Sequence, residues 1–547
     1  MRPVACFGTL PRGRVEMAAT DAIFGTLPRG RVEMAATDAI FGTLQHDTPS
    51  PAGGRRPGSA LKGKSPMLLL NDLPERRTLV AAVTEVFSRR VASQAAPGAR
   101  FMVFDASGPA FDGSFGTAGA AGTPPASHGR FRVASCTKSF TAAAILCLRD
   151  GGLLSLDAPV TDYVPELKPT LPAGQPEAPT LRLLLSMAGG FPTDDPWADR
   201  QESLSNEAFR AVLRAGVRFA TAPGTRYEYS NLGYALLGQV IEAVGGRPYP
   251  VYVTETLLKP LGLDETGFDF AAVPEGSLAT GYRKAGESWV ALPFSGPGAF
   301  SSIGGIVTTA SDLARWAGWL CSAFSPASGE AGPLSAASRR EMQRIQCAIV
   351  PEQADDLRLE GYGYGLLVEH HARFGLVVSH SGGYPGFSSH MRWNPTTGLG
   401  VVAMENATYS GAWDPASEAL GLILDAAATV TAPAPAAPAA VKRLADGLLR
   451  LLSQGWDEQT ADAIFQENVA LDVPYAERAR ELDSLRGKAG ALEAAGARVV
   501  ATDSGAVAGG YGRFELRVPC SAGEVVAAVR CGPAEPIRVE TVTWRVE

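Results

Sequence analysis

From Pro74 onward, Leu79, Val83, Val86, Phe87 and Val91 fall on one face of a 3.6-residue period. This predicts a packing helix that Asn71 or Asp72 can cap. Ala99 to Phe104 and the glycine-bounded stretch from Phe111 to Phe115 read as two antiparallel strands. Phe131 and Arg132 make a short extended entry into a long apolar helical pattern, Ala142 to Leu148, which closes at Gly151-Gly152. That helix is expected to begin at Ser135. Residues 155 to 300 carry helical patterns between proline-containing loops, and three strand-like runs follow: Tyr364 to Glu369, Gly375 to His380 and Leu399 to Met404. The order of strands, helices and strands predicts an α/β fold, an antiparallel sheet built from both ends of a domain and flanked by helices, with a helical insertion.

Around Thr429 the composition collapses to alanine, proline and threonine, which predicts a semi-rigid linker over 429–440. Beyond it, Val441 to Leu452 is an amphipathic helix, a second helix runs to Phe465, and Gly512 to Val518, Glu524 to Val529 and Ile537 to Arg545 read as strands. Residues 441–547 are therefore expected to form a small α+β module, a stabilising or oligomerising accessory, after a main domain at 67–428. At the other end, Phe7 to Ile23 recurs identically as Phe24 to Ile40, and Phe41 to Leu44 begins a third copy. Identical copies indicate recent duplication, not stacked structural repeats, so 1–66 is expected to be disordered or a mis-assigned start, with Met67 as initiator. Gly58 to Ser65 matches a phosphate-binding loop letter for letter, but the preceding segment is polar and proline-rich where that loop needs a buried strand.

Of 547 residues, 49 are Lys or Arg and 56 Asp or Glu; a net charge of −7 without a basic run predicts neither nucleic acid nor an anionic membrane as partner. The seven scattered cysteines lack metal or redox spacing and read as free thiols. With neither a signal-peptide core nor a membrane-spanning apolar run, the expected location is cytoplasmic.

Candidate chemistry centres on Ser135-Cys136-Thr137-Lys138, because positions three apart on a helix share a face and Lys138 can reach the Ser135 hydroxyl. Alone, this spacing is common by chance. Two further motifs follow in order: Tyr229-Ser230-Asn231, and a strand ending in His380-Ser381-Gly382-Gly383. With these three motifs the chain resembles the serine β-lactamase and penicillin-binding-protein superfamily, in the branch of class C β-lactamases, D-aminopeptidases and related carboxylesterases. The resemblance spans roughly residues 75 to 428.

It implies a cofactor-free, metal-free serine hydrolase acting on a small-molecule or peptide amide or ester. Ser135 is then the nucleophile, Lys138 or Tyr229 the base, and Asn231 the residue that holds Lys138 and the substrate amide. The oxyanion hole is the backbone N–H of Ser135 and of Gly383, with His380 completing the catalytic set and Ser381, Gly382 and Gly383 lining the substrate. Where many relatives carry Lys-Thr-Gly, this chain has His380-Ser381-Gly382, so a fixed cation for a substrate carboxylate is missing. That departure disfavours, as alternatives, a β-lactamase or D-alanine carboxypeptidase. A catalytically silent scaffold on the same fold is the rival of another class. Asp194, Asp195 and Asp199, around Trp197, follow Leu184 to Phe191 in a loop that the resemblance places near the site entrance. Tyr227 and Tyr234 are read as packing aromatics, and Asn406-Ala407-Thr408 as a sequon without meaning unless the chain is secreted.

Overall fold

The computed structural model describes residues 67–119, 125–170, 178–325, 332–350, 359–429, 439–501, 512–533 and 536–547. The N-terminal repeats, the Gly58 to Ser65 stretch and linker residues 430–438 lie outside these. An eight-stranded sheet comprises β1 (Gly98–Asp105), β2 (Gly108–Gly116), β3 (Cys347–Ala348), β4 (Leu359–Tyr362), β5 (Leu367–His371), β6 (Gly375–Tyr384), β7 (Phe387–Asn394) and β8 (Leu399–Glu405). Their spatial order is β2-β1-β8-β7-β6-β5-β4-β3 and neighbours run antiparallel. The first hairpin closes on the last strand, Phe101 opposite Ala403 and Val103 opposite Val401. Both ends of the domain thus build one sheet, as the element order predicts.

Five helices position the site: α1 (Arg76–Ala92), α2 (Thr137–Asp150), α3 (Asn231–Gly245), α4 (Ala310–Cys321) and α5 (Trp413–Ala428). Alternate residues of β1 and β8 serve opposite faces. Phe101, Val103 and Val401 join Phe87 of α1 and Ile423 of α5 in one buried cluster. Phe104, Val402 and Met404 join Phe140 of α2 and Trp316 of α4 in another. Helix α2 is buried on nearly every side from Thr137 to Leu148, and the run Ala142-Ala143-Ala144 lets its neighbours approach closely.

Local signals misled in three places. Helix α1 starts after Glu75, which adopts φ 49 without a side-chain cap, while Asn71 and Asp72 belong to a separate turn, Leu70–Asp72. The run from Tyr364 is strand only from Leu367, since Gly363 N–H bonds to Leu366 O at 2.8 Å in a turn through Gly365. Strand β7, FSSHMRWN, is buried on both faces although five of its eight residues are polar, so no alternation announced it.

The described residues of 439–546 form a four-stranded sheet, β9 (Arg498–Ala501), β10 (Arg513–Cys520), β11 (Gly523–Cys531) and β12 (Val539–Val546), with helices that include α6 (Ala439–Gln454). Leu444, Leu448, Leu451, Phe465, Val525 and Val529 make their own core. Helix α6 already includes Ala439 and Ala440, so the expected linker ends two residues sooner. A helix at Tyr475–Ala489 and strand β9 had no sequence-level expectation. Among the described residues no helix is long and apolar enough to cross a membrane.

Candidate active site

Ser135 lies in a 3-10 turn, Ala134–Cys136, and the α-helix follows from Thr137 instead of starting at Ser135. Ala134 takes φ 46, a left-handed conformation that costs a residue with a Cβ about 1–2 kcal/mol. Its surroundings impose it. Val133 N–H donates to Ile306 O at 3.0 Å, and Val133 O accepts from Ser389 Oγ at 2.8 Å. Gly382 presses on the same turn: a Cβ there would sit 2.2 Å from Val133 O, so only glycine fits.

One turn further, Lys138 is fully buried and donates from Nζ to Ser135 Oγ at 2.8 Å and to Ile303 O at 3.0 Å. Burial lowers its pKa to about 8, although Asp195, Asp199 and Asp194 pull the other way. The Tyr229 ring centre lies 5.1 Å from Nζ, and its hydroxyl makes a polar contact with Ser135. Burial above all, reinforced by Asp195, holds the Tyr229 pKa well above the ordinary phenol value.

Asn231 opens α3. Asp194 caps that helix, accepting from the N–H groups of Asn231 at 2.7 Å and Leu232 at 2.9 Å, and Asn231 Nδ2 donates to Asp195 Oδ1 at 2.5 Å. The expected bond from Asn231 to Lys138 is not made: Nζ is bonded to Ser135 and Ile303 instead, and Asn231 anchors the aspartate loop. Asn231 Oδ1 is buried without a partner among the described residues.

On β6, His380 Nδ1 lies 2.6 Å from Ser381 O and Nε2 lies 2.9 Å from the Tyr362 hydroxyl. A carbonyl only accepts, so the proton sits on Nδ1 and Tyr362 donates to Nε2. Burial, and then Lys138, lowers the His380 pKa to about 3, which leaves the imidazole neutral. Beyond Ser379, β6 has no β5 partner, so among the described residues no strand covers that edge from His380 to Tyr384. Free backbone donors at this edge suit an oxyanion.

These groups surround a cavity of about 270 Å³ whose lining includes Ser135, Tyr229, His380 and Gly383 together with Asp195 and Asp199. Ser381 also borders it, but the Ser381 hydroxyl is bonded to His390 Nδ1 at 2.8 Å, and Gly382 packs on the Val133 turn. Asp199 is buried, which raises its pKa to about 6 despite the bond it accepts from the Tyr409 hydroxyl. Tyr409 adopts φ 47, and its ring lies against Gly383, where a Cβ would come within 2.4 Å. Tyr227, read as a packing aromatic, reaches the cavity wall; Tyr234 is buried and donates to Leu185 O at 2.7 Å. Neither Tyr409 nor Tyr362 had a sequence signal, since each is placed by contacts with residues far away in the chain. The sequon Asn406 is fully buried, its amide donating to Thr117 O at 2.9 Å and Thr280 O at 3.0 Å.

Protein flp of Staphylococcus aureus (strain COL) is 28% identical over 285 residues, 51% of this chain and 53% of its own length. The chain thus spans about half the length of the curated relatives it matches. The octameric penicillin-binding protein homologue from Pyrococcus abyssi superposes with a TM-score of 0.56 over 85% of this chain and 95% of its own; at 22% identity, that similarity establishes the fold. A D-stereospecific amidohydrolase from Streptomyces sp. superposes with a TM-score of 0.51 at 26% identity, over 62% of this chain and 97% of its own. The Beta-lactamase family model matches residues 83–425, and the chain belongs to that family.

Proposed function

We propose that this chain is a serine hydrolase that forms an acyl-enzyme on Ser135 and hydrolyses an amide or ester. The observation that carries the reading is the buried Lys138 Nζ 2.8 Å from Ser135 Oγ, with a pKa lowered to about 8. Serine cannot attack a carbonyl until its proton has an acceptor. The acceptor is the neutral form of Lys138, whose share grows as the pH rises toward about 8, whereas Tyr229 is held in its protonated form. The Ser135 oxygen bonds to the carbonyl carbon while its proton passes to Lys138. The oxyanion is held by the N–H groups of Ser135 and Gly383, and the returned proton leaves with the amine or alcohol. Water then attacks the acyl-enzyme by the same proton route. The similarity to an amidohydrolase supports this chemistry.

The substrate class follows from charge. Asp195 and Asp199 line the cavity, His380 is neutral and Lys138 is engaged with Ser135. A free ammonium on the substrate is therefore favoured over a carboxylate, by an amount that salt reduces. The test measures kcat/KM for D- and L-alanyl anilides, a neutral butyrate ester and a cephalosporin at low and high salt. The anilides and ester are expected to be turned over, with the anilides losing rate in salt. Preference for the cephalosporin would overturn the charge argument.

A further inference from the structure

On the side of the sheet away from Ser135, the layer between sheet and helix changes character. Toward β1 and β8 it is tightly apolar, with Phe87, Phe101, Val401 and Ile423 in contact. Under β5 to β7 it is polar. Ser379 stands opposite Arg392 and Ser381 opposite His390 in the β6–β7 ladder, and Glu369 of β5 pairs with Arg392 at 2.5 Å. Between this patch and α5 lies a cavity of about 670 Å³, walled on the helix side by Trp413, Leu420 and Leu424. That volume is within the range of small-molecule pockets. Gly421 of α5 also lines it, and a Cβ on Gly421 would meet nothing within 4 Å.

His390 is the informative residue. It is buried, its Nδ1 lies 2.8 Å from Ser381 Oγ, and its Nε2 has no partner among the described residues. Buried polar atoms of this kind are rarely left unmet in a folded protein. Arg392 is already neutralised by Glu369, burial holds the His390 pKa well below its ordinary value, and Glu360 also lines the cavity, so the site offers no positive charge to an anion. If Ser381 donates to Nδ1, Nε2–H is a donor; if Nδ1–H donates to Ser381, Nε2 is an acceptor. A hydroxyl satisfies either tautomer, whereas a carboxylate or an ammonium satisfies only one.

We propose that this cavity is a second, non-catalytic binding site for a neutral hydroxyl-bearing small molecule, its hydroxyl on His390 Nε2 and its apolar body against Trp413, Leu420 and Leu424. The site lies behind the strand that carries His380 and Gly383, and it does not depend on the chemistry assigned to Ser135.

The test titrates benzyl alcohol into the full-length protein carrying 15N-labelled histidine. Only six histidines are present, so His390→Gln assigns the signal by difference. A saturable shift of the His390 Nε2 resonance is expected, with a midpoint on the order of millimolar for so small a ligand. Gly421→Leu, which favours the helix and fills the cavity, is expected to abolish the shift; it keeps the test intact if the His390 variant does not fold. A His390 resonance that does not move, leaving Nε2 to water only, overturns the proposal. An equal shift in Gly421→Leu also overturns it, because the alcohol is then bound elsewhere.

Discussion

Lys138 reaches Ser135 already desolvated, and this decides how the rate should depend on pH. With a pKa lowered to about 8, Lys138 is mostly a cation below that value and cannot accept the serine proton. For a neutral ester, kcat/KM is therefore expected to climb through an ascending limb near pH 8, and Lys138→Met to lose about 10²–10⁴-fold. A pH–rate profile without that limb contradicts Lys138 as base. Tyr409 makes a different prediction. Its ring fills the space beside Gly383 and is tethered to Asp199 across the cavity. Tyr409→Ala should therefore raise the octanoyl-to-acetyl ester ratio of kcat/KM by roughly tenfold or more, a few methylenes' worth of pocket, while Tyr409→Phe keeps the wild-type ratio. Ester chain-length profiles of the two variants decide it. Ser135 and Lys138 were legible because their spacing is local and two more motifs followed in order. Tyr409 was not, because φ 47 and a bond to a residue 210 positions away place it.

Among the elements, the short strand entry before Ser135 is held by a buried ion pair. Arg132 and Glu202 are both about 1% exposed and 3.4 Å apart, with Ser301 Oγ also donating to Glu202 at 3.0 Å. Removing one partner strands a charge in the core, so Arg132→Met is expected to cost about 3–5 kcal/mol, and adding Glu202→Leu to restore much of it. Denaturant unfolding of both single variants and the double variant measures this; additive losses would show that the pair is not coupled. Nothing in the sequence joins these residues, since Glu202 sits in a loop without periodicity. The sheet reads better: β1, β6 and β8 are apolar runs that the pattern located to within a few residues at most of their ends. Strand β7 escaped because Ser389 bonds to Val133 and His390 to Ser381, so polar side chains occupy both of its buried faces.

At the scale of the whole chain, the main sheet and the C-terminal sheet have hydrophobic clusters that share no residue. Calorimetry is expected to resolve two transitions, and separately expressed residues 67–429 and 439–547 to reproduce one each; a single transition, with neither fragment folding, contradicts the division. A chain starting at Met67 should keep its melting temperature and turnover, since the identical repeats before it carry no core pattern. The family fold was legible because three motifs fix residues on α2, α3 and β6 in the order that the sheet requires. The cavity wall was not, because Asp195 and Asp199, at either end of the helical turn Asp195–Ala198, reach it only through tertiary packing. Fluorophosphonate labelling of the intact protein, read by peptide mass spectrometry, tests the central claim most directly. Stoichiometric label on Ser135, lost in Ser135→Ala and slowed in Lys138→Met, is the predicted result; label on another residue, or none on folded protein, contradicts it.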